Sequence, residues 1–227
     1  MGLTRDLEIP EHLLLFQRTG YEFDVNEYFS VFSHLSVEPG YILDYIHDGS
    51  APTIYARQED EPQYLTWAEY SDAVGKDATW FTEQLRYLDH IQVDGTEEGF
   101  FEFVVLRLMG EQFYLQGHAF YNDDTVVCDP TGVEAVLKAA ERSLPSETAS
   151  WFADAWAAFA DVWVKALELD LKPRIALRDD VAVVRVVVFT KWGGFREETY
   201  TISQDFPHTI LDDETKTLVP YDCGINF

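Results

Sequence analysis

The apolar and polar residues of the C-terminal third predict a β-sheet. The run from Val181 to Phe189 is almost continuously apolar, which is typical of a strand covered on both faces. The Gly193-Gly194 pair that follows favours a type I′ hairpin turn, because glycine adopts positive φ at little cost. Residues 196–203 are then predicted to return as a half-exposed strand, and a short final hairpin is expected around Asp212-Asp213-Glu214.

The segment 147–169 carries the clearest helical period in the chain. Its polar residues fall on one narrow stripe, and apolar residues, several of them tryptophan, fill most of the remaining circumference. A helix that is apolar on most sides must be buried on more than one of them. We therefore expect one long buried helix near 147–169.

The N-terminal half alternates shorter helix and strand signals. Helices are expected at 24–35 and 78–91, and strands at 41–47 and 53–57 around a turn. Thr66 and Glu69 have the spacing of a helix capping box, and Gly75 stands where it could end that helix.

The middle of the chain fits two interpretations. Residues 100–109 are dense in Phe and Val, which favours a strand, although a helix over 97–109 fits the same residues. Strands at 112–120 and 125–128 would complete a meander. Thr131 and Glu134 again have capping-box spacing, and the helix that follows them has one apolar face formed by Val133, Val136, Leu137 and Ala140.

These elements favour an α+β fold in a single globular domain, residues 1–227. Groups of helices and strands follow one another without strict strand–helix alternation, which predicts a mainly antiparallel sheet packed against several helices. The sequence has no internal repeat, no low-complexity segment and no Pro/Gly/Ser linker that would divide it.

The chain combines a formal net charge of −25 with 47% hydrophobic and 15% aromatic residues. Acidic disordered chains lack such aromatic content, so we expect a large core beneath an acidic surface. Three explanations of the acidic surface compete: it keeps the protein soluble, it adapts the protein to high salt, or it attracts a basic partner. Nucleic acid is disfavoured as a partner, because no basic cluster stands out in the sequence.

The sequence indicates a cytoplasmic protein that does not bind membranes. The first residues lack the apolar core of a signal peptide, and no long apolar run is free of charge. Cys128 and Cys223 are too few for a disulfide framework in a chain of this size. The oligomeric state has no sequence signal.

Two arginines lie within apolar segments predicted as strands. Arg107 would share a strand face with Val105, and Arg185 with Val183 and Val187. A buried guanidinium requires a carboxylate or another anion. We expect an internal ion pair, for example with Glu102 or with one of the many aspartates, and the alternative is an anion-binding pocket.

Other side chains give weaker signals. His118 lies ten residues before Cys128, and adjacent strands could bring the two together for metal binding or nucleophilic catalysis. However, the common zinc, nucleotide-binding and serine-nucleophile motifs are absent, so we expect no metal or cofactor and assign no catalytic residue. Trp192 sits at the tip of a predicted hairpin and is a candidate contact residue.

The favoured function is therefore that of a soluble acidic binding protein that engages a basic protein partner, in the manner of an inhibitor or immunity protein. The alternative is an enzyme or small-anion-binding protein with a pocket around Arg107, Arg185 and His118. Convergent polar groups in a pocket would favour the alternative, and an acidic face with exposed aromatic residues would favour the first.

Overall fold

The computed structural model describes residues 24–47, 52–75, 85–111, 124–141 and 152–222. The helices are α1 (Val25–Phe29), α2 (Trp67–Val74), the 3₁₀ helix η1 (Arg86–His90), α3 (Glu97–Glu111), α4 (Pro130–Glu141) and α5 (Phe152–Ala166). The strands are β1 (Leu35–Val37), β2 (Tyr41–His47), β3 (Pro52–Gln58), β4 (Ile91–Val93), β5 (Thr125–Val126), β6 (Arg174–Arg178), β7 (Val181–Thr190), β8 (Gly194–Ser203) and β9 (Ile210–Val219).

Antiparallel pairing forms a five-stranded sheet and two strand pairs, which confirms the α+β class. In the large sheet β7 pairs with β5 and β6 on one side and with β8 on the other, and β9 pairs with β8. The strand pairs are β1 with β4 and β2 with β3, so the strands expected at 41–47 and 53–57 form the predicted antiparallel pair. The turn that joins them lies outside the described residues.

The strand β7 separates two hydrophobic cores, as its continuous apolar run predicts. Ala182, Val184, Val186 and Val188 point to a core shared with α3. Val187, on the opposite face, belongs to a second core shared with α4 and α5. Because successive side chains of a strand point to opposite faces of the sheet, one apolar run contributes to both cores.

The prediction of a strand at 100–109 is wrong, because these residues belong to the helix α3. Phe100, Phe103, Val104, Leu106 and Leu108 are all buried in the first core, and the pairs 100/103, 100/104, 103/106 and 104/108 have the helical spacings of three and four. High Phe and Val content favours a strand in general, but it also suits a helix that is enclosed by apolar neighbours. The rival interpretation, a helix over 97–109, is the one that the structure bears out.

The long helix near 147–169 is described as α5 and buries one face in its described part. Phe159, Val162 and Ala166 are buried in the second core, while Val164 is exposed. The structure therefore does not confirm burial on several sides. Much of the apolar circumference outside the buried face consists of alanine, whose small side chain loses little when it faces water. No helix among the described residues is long and apolar enough to span a membrane.

The turn between β7 and β8 differs from the predicted two-residue type I′ turn. Thr190 pairs with Gly194, so three residues form the turn, and Gly194 has φ of 79° while Gly193 does not have positive φ. A Cβ atom on Gly194 would lie 2.1 Å from the carbonyl oxygen of Val219. Close approach to the end of β9, together with the positive φ, requires glycine at this position.

The final hairpin expected around Asp212-Asp213-Glu214 is wrong, because these residues lie within β9. The chain reverses between β8 and β9 instead, where the amide of Ser203 donates to the carbonyl of Thr209 over 2.9 Å. Consecutive acidic residues commonly mark a turn, but on an edge strand they can stand in water on both faces.

The remaining sequence predictions are confirmed in part. Thr66 caps α2 by accepting from the amide of Glu69, and Gly75 ends that helix. The apolar face predicted for α4 is buried, but Asp129 rather than Thr131 accepts the amide of Gly132 at its start. Helix α1 is shorter than the helix predicted at 24–35. The described part of the helix predicted at 78–91 contains η1, and Ile91 already begins β4. The strand predicted at 112–120 lies outside the described residues.

Candidate functional site

The strand β9 forms one edge of the large sheet. It pairs with β8 and with no other described strand, so its outer edge presents backbone amides and carbonyls. Every residue from Leu211 to Thr217 is exposed. An edge of this length that carries accessible backbone groups can accept another chain.

Six exposed carboxylates gather at the end of the sheet where β9 begins. We call this group the acidic edge; its members are Asp179, Asp180, Asp205, Asp212, Asp213 and Glu214. The first two occupy the turn between β6 and β7, and Asp205 lies in the turn between β8 and β9. Hydrogen bonds of 2.8 Å from Gln204 to the carbonyls of Asp180 and Val181 hold the two turns together.

The acidic edge has no local compensation by basic residues across the sheet. Asp212, Asp213 and Glu214 stand opposite Thr201, Tyr200 and Thr199 of β8. None of the ion pairs formed among the described residues includes a carboxylate of the acidic edge. Exposed charges that repel one another raise the local negative potential and attract a cationic partner.

Apolar side chains are exposed among these carboxylates. Leu211 is the extra residue of a β-bulge, because Ile202 pairs with Ile210 while Thr201 pairs with Asp212. The bulge leaves Leu211 57% exposed, and Phe206 in the adjacent turn is 40% exposed. Bulges commonly redirect a side chain at a sheet edge, and here one presents an apolar contact within an acidic surface.

A buried histidine fixes the turn that carries Phe206. His208 is 6% exposed, its Nε2 accepts from the amide of Val93 at 3.1 Å, and its Nδ1 donates to the carbonyl of Ser203 at 3.1 Å. The ring also packs against Phe100. These contacts attach the turn to β4 and α3, so the acidic edge has a rigid base.

Arg185 forms the internal ion pair that its position predicted, but with Glu197 rather than Glu102. Its Nε donates to the Glu197 carboxylate at 2.5 Å. Its two terminal nitrogens donate to the carbonyls of Lys172 and Asp170 at 3.3 and 3.1 Å. These acceptors satisfy the guanidinium without an external anion.

Arg107 lies on the opposite face of the same sheet. It donates to the hydroxyl of Tyr200 at 3.2 Å, and its guanidinium carbon stands 5.0 Å from the centre of that ring. Tyr200 donates in turn to the buried Glu198 at 2.6 Å. Arg196 forms ion pairs with both Glu198 and Asp124. The structure therefore separates Arg107 and Arg185 by the sheet and does not bring them into one pocket.

The other sequence candidates occupy different surroundings. His118 lies outside the described residues. Trp192 is only half-buried at the hairpin turn and packs against the second core, so it is less accessible than a hairpin tip suggests. Burial raises the pKa of the Cys128 thiol, which opposes its use as a nucleophile. No group of metal-binding side chains is found in the described part of the chain.

The strand register assembles a group of cations that the sequence did not reveal. Arg174 stands directly opposite Arg185, and Arg178 lies four residues along the same face of β6. Asp170 pairs with Arg174 and Glu197 with Arg185, so the group is largely neutralised. Only strand pairing reveals the group, because its members are separated in the sequence.

A second polar site that the sequence did not reveal joins β1 to α3. His34 Nδ1 lies 2.7 Å from Asp94 Oδ2, and Thr96 donates to the other oxygen of Asp94 at 2.6 Å. The hydrogen bonds from Thr96 and His34 lower the pKa of Asp94 to about 2, and the bond to Asp94 raises the pKa of His34.

No family model, curated protein or solved structure matches this chain.

Proposed function

We propose that this protein is a cytoplasmic, non-enzymatic binding protein that recognises a basic protein partner through its acidic edge. The observation that carries the proposal is the coincidence of three features on β9: an open strand edge, exposed carboxylates and an exposed leucine. The net charge of −25 attracts any cationic protein from a distance, and the acidic edge determines where it docks.

Each feature contributes a different part of recognition. The carboxylates accelerate encounter and select lysine- or arginine-rich surfaces. The backbone groups of β9 supply hydrogen bonds if the partner presents an extended segment, as in strand addition. Leu211 and Phe206 supply the apolar contact that a purely electrostatic encounter lacks. A protective role against aggregation explains the charges on an edge strand, but it does not account for the exposed apolar side chains.

Charge reversal on β9 tests the proposal against a matched control. The edge variant carries Asp212→Lys, Asp213→Lys and Glu214→Lys. The control variant carries the same change at Glu59, Asp60 and Glu61, three consecutive exposed acidic residues after β3. Both variants change the net charge equally, so long-range attraction weakens in both, and only the edge variant removes the docking site.

The three immobilised proteins are incubated with native cell extract, and captured proteins are identified by mass spectrometry. We expect a basic protein that is retained by wild type and by the control variant but lost from the edge variant. Equal loss from both variants would show that charge alone causes retention. Retention by all three proteins would place the binding surface elsewhere on the molecule.

A further inference from the structure

A cavity of about 550 Å³ lies between the first turn of α3 and the segment that leads into β6. Its described walls are formed by Glu97, Glu98, Phe101 and residues 172–175. None of these residues belongs to the acidic edge. The volume falls within the usual range of small-molecule sites, about 300–1,000 Å³.

Lys172 brings to this cavity a positive charge that no described carboxylate neutralises. Its side chain is exposed and takes part in none of the ion pairs formed among the described residues. The neighbouring Arg174, in contrast, is already paired with Asp170. The backbone of the segment is fixed, because the carbonyls of Asp170 and Lys172 both accept from the guanidinium of Arg185. Lys172 therefore offers an ammonium group from an anchored position to an anion in the cavity.

Two carboxylates line the same cavity from the side of α3. Glu97 and Glu98 stand in the first turn of that helix, and both are exposed. Neither side chain forms an ion pair with Lys172 or with any other basic residue in the described part of the chain. The turn is held in place by Thr96, whose hydroxyl accepts from the amide of Gly99 at 3.0 Å. Charges of both signs therefore line one cavity without neutralising each other.

Apolar side chains complete the walls. Phe101 and Ile175 are half-buried and pack against the first core, so one side of each is anchored while another contributes to the cavity. Pro173 adds a rigid ring between the two basic residues of the segment. A ligand that covers these groups removes apolar surface from water.

We propose that this cavity binds a small zwitterion of the amino-acid class that has an apolar side chain. The carboxylate of the ligand binds Lys172, its ammonium group binds Glu97 and Glu98, and its side chain packs on Phe101 and Ile175. A ligand with one charge would use only one of the two sets of charged groups, whereas a zwitterion uses both.

L-Phenylalanine is the probe, with two analogues that each lack one charge. The analogue 3-phenylpropanoate has no ammonium group, and 2-phenylethylamine has no carboxylate. Binding is measured by ligand-observed NMR titration at about 0.15 M salt, where the long-range attraction of cations to the acidic surface is screened. We expect L-phenylalanine to bind with a Kd below about 1 mM and each analogue to bind at least about tenfold more weakly, because each loses one charged contact.

Variants without charge assign the two ends of the ligand. Lys172→Gln should weaken L-phenylalanine and 3-phenylpropanoate about tenfold and should not weaken 2-phenylethylamine. The double change Glu97→Gln and Glu98→Gln should weaken L-phenylalanine and 2-phenylethylamine by a similar factor and should not weaken 3-phenylpropanoate. Lys216→Gln, at an exposed lysine of β9 outside the cavity, is the control and should change none of the three affinities by more than about twofold.

The proposal is overturned if L-phenylalanine does not bind, if either analogue binds as tightly, or if Lys172→Gln binds L-phenylalanine as wild type does. The substituted side chains are all exposed, so we expect the variants to fold. If circular dichroism shows that a variant is unfolded, a measurement on wild type takes its place. Intermolecular NOEs between the phenyl protons of the ligand and the methyl groups of Ile175 would then support the site, and their absence would contradict it.

Discussion

Alanine substitution of the two residues in the Gly193-Gly194 pair should have very unequal consequences, although the sequence does not distinguish them. At Gly194 a Cβ atom would meet only backbone: the carbonyl oxygen of Val219 at 2.1 Å and the amide nitrogen of Tyr221 at 2.5 Å. Its φ of 79° adds strain for any residue with a Cβ. At Gly193 the nearest atom, Cγ2 of Thr190, is at an ordinary 3.5 Å.

The magnitudes follow from these distances. Positive φ costs alanine about 1–2 kcal/mol, and relieving a backbone overlap requires the end of β9 to move away from β8, which breaks hydrogen bonds worth about 1 kcal/mol each. We expect Gly194→Ala to lose about 3–5 kcal/mol of unfolding free energy, a large part of the usual 5–15 kcal/mol. Gly193→Ala should change it by less than about 1 kcal/mol, because alanine reduces the entropy of the unfolded chain.

Urea unfolding followed by circular dichroism measures both variants against wild type. The prediction requires a large fall in the transition midpoint for Gly194→Ala alone, with the slope unchanged. Equal effects of the two substitutions, or a larger effect at Gly193, would show that β9 does not approach the hairpin turn as described.

Three further predictions concern hydrogen-bonded and charged groups. His34 should titrate above its ordinary pKa of 6.5 by NMR, and Asp94→Asn should return it towards that value. The folded pKa of His34 is raised and that of Asp94 is lowered from 3.8 to about 2, so the stabilisation from this pair is present between pH 3.8 and pH 6.5. It is lost as pH rises through the folded pKa of His34 or falls through that of Asp94. His208→Phe should cost about 2–4 kcal/mol in urea melts, since it leaves a partly buried amide and a partly buried carbonyl without their histidine partner. Arg185→Met should change stability by less than about 1 kcal/mol, because Glu197 can reach water, and sulfate should leave the melting temperature of both proteins unchanged; a sulfate-dependent rise in wild type alone would indicate an anion site.

The sequence predicted the strands and the α+β class where the apolar period was unambiguous. The run through Val186 required a strand covered on both faces, and it separates two cores in the structure. The period was ambiguous at 100–109, because Phe and Val at nearly every position fit a strand or an enclosed helix equally well. Tertiary surroundings decided between them, and these are not visible in a local pattern.

The functional surfaces were less predictable, because pairing register creates them. In the sequence alone Asp212-Asp213-Glu214 resembles a turn, and only its pairing with β8 shows that it belongs to a strand. The bulge that exposes Leu211 depends on a one-residue mismatch between β8 and β9. The alternative interpretation placed Arg107 and Arg185 in a common pocket, but the sheet separates them.

Hydrogen–deuterium exchange on the complex with the captured basic protein tests most directly whether the acidic edge is the binding surface. The outer amides of β9 have no strand partner among the described residues and should exchange rapidly in the free protein. We expect the partner to slow exchange in β9 and in the adjoining turn that contains Phe206, with little change after β3 at Glu59, Asp60 and Glu61. Protection at that control segment, or unchanged exchange in β9, would contradict binding at the acidic edge.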